Sequence, residues 1–476
     1  MARTQDIWQW DATSIAAAIR RREISSREAV ESCLQRIAAV NPKLNAVTVD
    51  LGAAALEAAD RADAAVHQGH ALGPLHGVPI SVKENVDQAG CATTNGVVAF
   101  REVMAAEDSP VVANLKAAGA VIVGRTNTPA FSFRLDTENE LRGRTFSPWS
   151  ATHTAGGSSG GASSSVAAGM VPLAHGNDIA GSIRFPAYVC GLAGLRPSFG
   201  RVPAFNPTAT AERSISAQLL SVQGPIARTV RDLRLGLTAM TRHDPRDPWW
   251  VPAPLFGEPP ATPLRVAVVT EPEDLGGAKL HPTVAGALKQ AAAWVSDAGY
   301  EVVDERTPGF TGALDAWFGM QLPEIRLFMW PYIEKYGDEG IRRAMGLMLE
   351  SRPAETGEAY MKALANRAAV VRAWQQFFER VPLVLAPVCT EPVYERGFDL
   401  ESVERTTRVW RECCTLMAVP VIGCPGLAVP TGVVDGLPTG VQILAPRFRE
   451  DLCLAAGEAI EARSGMTSRV PLEPVW

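Results

Sequence analysis

The sequence predicts an α/β protein, with a central mixed, mainly parallel twisted β-sheet and helices packed on its faces. Two observations predict this class. Short apolar runs with the spacing of strands alternate along the chain with segments that have the spacing of helices, an order typical of parallel strands joined by helical crossovers. The balance of 47% apolar and 20% charged residues over 476 residues is that of a compact globular protein.

The first seventy residues are predicted to be helical. Apolar positions around Ala16 and Ile19 predict one amphipathic helix. Ser25 followed by Glu28 is the pattern of a capping box, in which each side chain bonds the other residue's backbone N–H, and it predicts the start of a second helix. An alanine-rich third helix is predicted over residues 53–67.

Strands and helices alternate in the rest of the chain. Residues 243–263, rich in proline and tryptophan, are expected to form a surface connection. Residues 308–375 are aromatic and helical in pattern, and we expect this segment to contribute to a substrate pocket. The strands are predicted at residues 78–82, 120–123, 264–269, 383–386, 427–429 and 441–444, and the helices at residues 111–118, 166–169, 229–240, 284–298 and 451–462.

Composition and charge argue against several classes of function. The net charge is −6 and the 45 lysines and arginines are scattered, so no nucleic-acid partner is expected. Residues 1–6 lack the charged-then-apolar layout of a signal peptide, and the apolar stretch 381–388 is too short to cross a bilayer. We therefore expect a soluble cytoplasmic protein, monomeric or homodimeric, with no membrane partner.

Cysteine and histidine spacing does not indicate a metal site. The eight cysteines contain no C-x-x-C pair, and we interpret them as reduced thiols in the core. His67 and His70 are three residues apart, but no further ligands lie near them in the sequence, and we expect them to be solvated. The sequence thus predicts no metal and no cofactor.

A run of glycine and serine at residues 156–165 is the most informative stretch. Such a run serves as a flexible linker, a phosphate-binding loop or a catalytic loop. A linker is disfavoured because the run leads directly into a predicted helix and strand. A Walker-type loop needs Lys-Ser or Lys-Thr after the glycines and a dinucleotide loop needs G-x-G-x-x-G, and neither is present. A catalytic loop is favoured.

A second segment, residues 176–186 (GNDIAGSIRFP), places Ser182 after small residues at a predicted strand-to-turn junction. Small residues allow a tight turn in which successive N–H groups point at one spot, as an acyl-transfer enzyme needs for its oxyanion. His153 and His175 lie near in sequence, but neither belongs to a triad motif and G-x-S-x-G is absent. If Ser182 is a nucleophile, a group other than histidine is expected to activate it.

Seven segments, in order and at matching intervals, resemble the amidase signature family over nearly the whole chain. They are residues 77–85, 124–127, 156–161, 178–186, 194–198, 224–228 and 436–442. The resemblance implies a single amidase domain over residues 1–476, with the signature core at 70–235. It also implies an enzyme that hydrolyses the C–N bonds of amides.

Members of this family use a Ser-cisSer-Lys triad, and the matching positions are Lys83, Ser158 and Ser182. The resemblance implies that Ser182 attacks the carbonyl, that Ser158 bridges through a cis peptide after Gly157, and that Lys83 accepts the proton. Lys83 must be neutral for this role, although the pKa of a free lysine is about 10.4, so burial has to depress its pKa. Ser159 and Gly157 are expected to support the loop.

The residues around the nucleophile are given supporting roles by the same resemblance. Asp178 and Arg184 are expected to brace the loop through charge-assisted hydrogen bonds. Asn177 stands where the family commonly has Thr or Ser, and Ala180 where it has Gly. If position 180 needs a positive φ, the methyl group costs about 1 kcal/mol; otherwise it narrows the acyl pocket. The oxyanion is expected to be held by the backbone N–H groups of Ile179, Ala180, Gly181 and Ser182.

The sequence limits the substrate only to a small molecule. Residues 131–150, 203–220 and 308–375 are expected to form the pocket, and the aromatic character of the last favours a hydrophobic or aryl acyl amide, or a carbamate (urethane). One alternative is a glutaminase subunit of an amidotransferase, which works with partner proteins. A second alternative is a catalytically silent binding protein on the same scaffold.

Overall fold

The computed structural model describes residues 4–258, 261–468 and 473–476. The first three residues of the N-terminal segment 1–6, and residues 259–260 of the expected surface connection, lie outside the described residues. The α-helices are α1 (Ala12–Arg20), α2 (Ser26–Leu44), α3 (Gly52–His67), α4 (Pro110–Ala117), α5 (Gly160–Ala167), α6 (Arg184–Val189), α7 (Ile215–Leu220), α8 (Val230–Met240), α9 (Pro282–Asp297), α10 (Thr311–Glu324), α11 (Trp330–Tyr336), α12 (Glu339–Glu350), α13 (Gly357–Phe378), α14 (Val403–Glu412), α15 (Cys414–Ile422) and α16 (Glu450–Ser464).

Most of the strands join one central sheet. The strands are β1 (Val47–Asp50), β2 (Pro79–Lys83), β3 (Val121–Thr126), β4 (Glu138–Asn139), β5 (Gly143–Arg144), β6 (Phe146–Ser147), β7 (Ser150–Thr154), β8 (Leu173–Asp178), β9 (Ala193–Arg196), β10 (Val222–Ala227), β11 (Arg265–Val268), β12 (Glu301–Val303), β13 (Leu383–Pro387), β14 (Gly426–Val434) and β15 (Leu437–Leu444). The order across the sheet is β1-β3-β2-β8-β10-β9-β14-β15-β13-β11-β12, and two small hairpins, β4-β5 and β6-β7, lie apart from it.

The predicted fold class, an α/β protein with a central mixed sheet flanked by helices, is confirmed. Parallel pairing occurs in two blocks, β3-β2-β8 and β13-β11-β12. The strands between the blocks, and the edge strand β1, pair antiparallel. The sheet therefore has a larger antiparallel share than the alternation of strands and helices predicts, because that alternation marks the elements but not which of them become neighbours.

The side chains of the sheet alternate between two helical layers. In β13, Leu383 and Leu385 join the core under α8, α9 and α16, whereas Val384 and Ala386 join the core under α10, α13 and α15. In β2, residues 80 and 82 are apolar and belong to the first of these cores. The intervening positions 81 and 83 therefore project to the opposite face, which α5 covers.

Several local predictions are tested by this fold. The capping box is present: Ser25 accepts from the Glu28 N–H and the Glu28 carboxylate accepts from the Ser25 N–H. The eight cysteines are free thiols and all are buried. Residues 308–375 form α10 to α13 with a π-helical turn at Ile325–Met329. Within the described ranges, no helix combines the length and apolarity needed to cross a bilayer.

Candidate active site

Lys83 is the last residue of β2 and is completely buried. Because β2 and β8 are adjacent parallel strands, their carboxyl ends meet at the same edge of the sheet. The Lys83 Nζ donates to Ser158 Oγ at 2.7 Å and to Asn177 Oδ1 at 2.7 Å. The strand pairing thus brings the predicted base to the glycine/serine loop on one side and to the end of β8 on the other.

Burial holds the pKa of Lys83 well below its usual value, and the negative charge of Asp178 acts in the opposite direction. An ammonium group loses its hydration in the interior, so the neutral amine is favoured. Since only the neutral amine has a free lone pair, burial gives Lys83 the capacity to accept a proton.

The loop before α5 carries Ser158 on a cis Gly157–Ser158 peptide, as the resemblance implies. A Cβ atom on Gly157 would lie 2.4 Å from the Arg134 carbonyl oxygen, so only glycine fits there. The helix predicted at 166–169 begins earlier, at Gly160, within the glycine/serine run itself. The glycines therefore allow a helix to pack closely against its neighbours and do not form a flexible linker. Ser159 Oγ donates to the Asn177 carbonyl oxygen at 3.5 Å.

Ser182 lies in the turn between β8 and α6 and is 6% exposed. Its hydroxyl makes no hydrogen bond to any residue that the structure describes, so the expected bond between Ser182 and Ser158 is not present. In enzymes without substrate, hydrogen bonds of this kind are often long or poorly aligned and tighten in the reacting complex. The structure therefore joins Lys83 to Ser158 and leaves the Ser182 hydroxyl unpaired.

A buried ion pair between Asp178 and Arg184 stabilises the turn that carries Ser182. Arg184 donates to both carboxylate oxygens of Asp178, at 3.0 and 3.1 Å, and to Gln442 Oε1 at 3.0 Å. Arg196 donates to the Asp178 carbonyl oxygen at 2.7 Å. Burial acts to raise the pKa of Asp178, but the two arginines and the Gly181 N–H outweigh it and lower the pKa. The sequence analysis missed Arg196 and Gln442 as parts of the brace, although both lie in segments that carry the family resemblance.

The predicted oxyanion hole needs one correction. The Gly181 N–H donates to Asp178 Oδ1 at 2.8 Å, so it is not available to a substrate oxygen. Among the described residues, the N–H groups of Ile179, Ala180 and Ser182 have no hydrogen-bond partner. The left-handed position belongs to Gly181, with φ of 99°, and not to Ala180. The Ala180 methyl group is therefore unstrained.

A polar wall lies beside the lysine, formed by Asn177, Asn85, Ser132 and Asn95. All four are partly exposed. Asn177 donates to Asn85, Asn85 donates to Ser132, and Ser132 donates to Asn95. Sequence analysis gave none of these four a role in the site. The family resemblance marks Asn177 only as a departure from the pattern, and residues 131–150, which include Ser132, are predicted to form part of the pocket.

A second group of residues, two of which belong to the turn itself, is apolar, and we call it the apolar wall. Phe131, Phe133, Ile179 and Ala180 are partly buried and pack against the core that surrounds α10. Trp317 of α10 donates its indole N–H to the Ile179 carbonyl oxygen at 3.3 Å. The segment 308–375, expected to form part of the pocket, thus contacts the turn that carries Ser182.

Other ionisable groups near the site do not form a competing catalytic centre. His175 Nε2 is bonded to Gln223 Oε1 at 2.8 Å, and burial lowers the pKa of His175 to about 4, which keeps the imidazole neutral. In the part of the chain that the structure describes, no cluster of three or more His, Cys, Asp or Glu side chains has the arrangement of a metal site.

The site thus combines a serine in a turn with three unpaired N–H groups and a buried lysine at one edge of the sheet of an α/β protein. The family model for amidases matches residues 28–454. The chain therefore belongs to the amidase family, whose members hydrolyse amide C–N bonds.

Individual relatives agree with this assignment. The chain is 47% identical over 461 residues to the indoleacetamide hydrolase of Bradyrhizobium diazoefficiens, covering 97% of this chain and 87% of the relative. Among solved structures it resembles 6-aminohexanoate cyclic dimer hydrolase, with a TM-score of 0.83 at 29% identity over 99% of each chain. It also resembles a bacterial aryl acylamidase of the amidase signature family, with a TM-score of 0.82 at 26% identity over 98% of each chain.

Proposed function

We propose that this enzyme hydrolyses primary amides of aryl-substituted or otherwise hydrophobic carboxylic acids, with Ser182 as nucleophile, Ser158 as proton relay and Lys83 as base. One observation carries the assignment of roles: the 2.7 Å contact between Lys83 Nζ and Ser158 Oγ, buried beside the turn that presents Ser182. Among the described residues, no histidine is hydrogen-bonded to Lys83, Ser158 or Ser182, so the amine is the base that the site offers.

The reaction proceeds through an acyl-enzyme. Ser182 Oγ attacks the amide carbon while its proton passes to Ser158 and the Ser158 proton passes to Lys83. The oxyanion accepts hydrogen bonds from the free N–H groups of Ile179 and Ala180. The ion pair between Asp178 and Arg184 holds this turn rigid. The proton returns through Ser158 to the leaving nitrogen, ammonia departs, and water hydrolyses the ester by the same relay.

The two walls of the cleft support the substrate class. The proton returns by way of Lys83 and Ser158, so the leaving nitrogen lies on their side, next to the polar wall. A small polar leaving group such as NH₂ suits that wall better than an aromatic amine. The acyl group then extends along the apolar wall, where Phe131 and Phe133 pack. The 47% identical relative is an indoleacetamide hydrolase, and its substrate has an aryl acyl group and an NH₂ leaving group.

A substrate panel tests the proposal. The purified chain is assayed with indole-3-acetamide, phenylacetamide, acetamide, p-nitroacetanilide and an alkyl carbamate. Burying an aromatic ring contributes about 1.5–3 kcal/mol, so kcat/KM for the arylacetamides should exceed that for acetamide by about 10- to 150-fold. We also expect measurable turnover of the carbamate, because an alkoxy oxygen fits where the arylacetamide has its methylene group. Turnover confined to short aliphatic amides would refute the apolar acyl site.

Two controls separate the alternative functions. Turnover by the isolated chain would show that the activity does not require partner proteins, as the activity of an amidotransferase subunit does. Covalent labelling of the wild type but not of Ser182→Ala by a fluorophosphonate probe distinguishes an enzyme from a silent binding protein. Equal labelling of the two proteins would show that Ser182 is not the nucleophile.

A further inference from the structure

A continuous chain of hydrogen bonds leads from the buried lysine to the partly exposed polar wall. Lys83 Nζ donates to Asn177 Oδ1 at 2.7 Å, and Asn177 Nδ2 donates to Asn85 Oδ1 at 2.8 Å. Asn85 Nδ2 donates to Ser132 Oγ at 2.9 Å, and Ser132 Oγ donates to Asn95 Oδ1 at 2.6 Å. We call Asn177 and Asn85 the amide pair.

The chemistry of the carboxamide group fixes the direction of this chain. A carboxamide oxygen only accepts and its NH₂ only donates. Because the ammonium form of Lys83 has no acceptor, Asn177 must present its oxygen to the lysine, and its NH₂ then points at the Asn85 oxygen. Turning either amide over would place two donors or two acceptors face to face. With Lys83 charged, the pair therefore has one stable orientation, and for the neutral amine this orientation can reverse only if both amides turn over together.

We propose that Asn177, locked by Asn85, is a positioning residue that orients the Lys83 amine for proton exchange with Ser158, an inference that rests on the proposed function. A neutral amine has two N–H bonds and one lone pair. With one N–H fixed on Asn177 Oδ1, rotation about the terminal C–N bond is restricted. The lone pair can then face the Ser158 hydroxyl, which lies at the same distance on the other side.

Asn177 should also affect the pH at which Lys83 loses its proton. Burial lowers the pKa of Lys83 and Asp178 raises it. A carboxamide oxygen binds an ammonium more strongly than an amine, because charge-assisted hydrogen bonds are the stronger ones, so Asn177 also favours the charged form. Removing its oxygen should lower the pKa of Lys83 and disorder the amine. The ionisable side chains that interact electrostatically with Lys83 are Asp178 and neutral His175, both on β8, and Glu84, the next residue along the chain, is paired with Arg142.

The test compares pH profiles of kcat/KM for a primary arylacetamide. The ascending limb reports the base in the free enzyme. Asn177→Leu, which has no acceptor, should move that limb to lower pH and reduce the plateau by about 10- to 100-fold. Asn177→Asp, of the same shape, should move the limb to higher pH. Asn85→Leu frees the Asn177 amide to turn over and should shift the limb in the same direction as Asn177→Leu.

A matched control is Asn114→Leu. Asn114 is a buried asparagine of α4 that donates to the backbone oxygens of Met240 and Arg242. It should lower the melting temperature without moving the limb. If a leucine variant does not fold, Asn85→Ser and Ser132→Ala interrupt the same chain farther from the lysine and should shift the limb in the same direction.

Three results would overturn the inference. In the first, the ascending limb stays at the wild-type pH in Asn177→Leu. In the second, the limb moves in the same direction in Asn177→Leu and Asn177→Asp. In the third, the losses of kcat/KM in Asn177→Leu and Asn85→Leu add in full in the double variant. Two residues acting as one unit should be non-additive. A wild type inactive on the amide panel would refute the proposed function, whereas an active wild type with unshifted variants would refute this inference alone.

Discussion

Gly181→Ala is the substitution whose effect the structure defines most closely. Gly181 has φ of 99°, a region that residues with a Cβ atom rarely adopt. A Cβ atom there would lie 2.7 Å from the Cβ of Leu416, with two more carbons of that side chain within 2.9 Å. Leu416 cannot easily recede, because its carbonyl oxygen accepts from Arg184 at 2.6 Å.

The magnitude follows from two contributions. The unfavourable φ costs about 1–3 kcal/mol, and forcing a methyl group into a packed core costs about 1–3 kcal/mol. We therefore expect Gly181→Ala to lower the free energy of unfolding by roughly 2–6 kcal/mol. Any relief by movement of the turn would displace the N–H groups at positions 179 and 180, and one lost oxyanion donor costs about 10²–10³-fold in kcat.

Urea denaturation, kcat on an arylacetamide and fluorophosphonate labelling measure these effects. Ala180→Gly is the matched control, since it changes one methyl group in the same turn at a position without positive φ. It should cost less than about 1 kcal/mol. The reasoning would be refuted if Gly181→Ala were labelled as strongly as the wild type and its free energy of unfolding lay within about 0.5 kcal/mol of the wild-type value. That is the range expected of a neutral surface change.

Three further predictions follow from the same site. Lys83→Met should abolish turnover yet raise the free energy of unfolding at pH 7, because each unit by which burial lowers the pKa of Lys83 penalises the folded state by about 1.4 kcal/mol. Since the folded-state pKa is the lower one, the gain should shrink as pH rises toward about 10.4, the pKa in the unfolded chain; urea titrations at pH 7 and 10 measure it. Asp178→Asn leaves Arg184 buried without its counter-charge and should cost about 3–5 kcal/mol by denaturation. Trp317→Phe loses the bond to Ile179 and should cost about 0.5–1.5 kcal/mol of transition-state stabilisation, measured as kcat/KM.

The sequence predicts the local features of this fold better than it predicts which strands pair with each other. The capping box at Ser25 and the apolar alternation of β2 are determined within a few residues, so composition and spacing are enough to predict them. The antiparallel middle of the sheet arises because β9 and β10 pair with each other and with β14 and β8. That choice depends on contacts between distant segments, which no local period encodes.

The polar wall was missed for the same physical reason. Asn85 follows β2, Asn95 lies in a loop, Ser132 ends a short 3-10 helix (Ala130–Ser132), and Asn177 is the penultimate residue of β8. Each residue alone has the composition of an ordinary turn, and only the parallel pairing of β2 with β8 brings the first and last of them together. Residues 203–220 were expected to reach the pocket, and Asn206 does approach the wall by donating to the Asn85 carbonyl oxygen at 3.0 Å.

The hydrogen bond from the Gly181 N–H to Asp178 refines the rule that a run of small residues forms an oxyanion hole. A run of small residues predicts that successive N–H groups converge, but it does not say which of them the protein itself uses. An aspartate three residues before a glycine can accept from that glycine's N–H, as an aspartate does at a turn or helix cap. Asp178 does this and also binds Arg184, so the Gly181 N–H holds the turn in shape, while the N–H groups of Ile179, Ala180 and Ser182 have no partner among the described residues. The aspartate four residues before Ser182 therefore predicts both that the turn is rigid and that the Gly181 N–H is used within the protein.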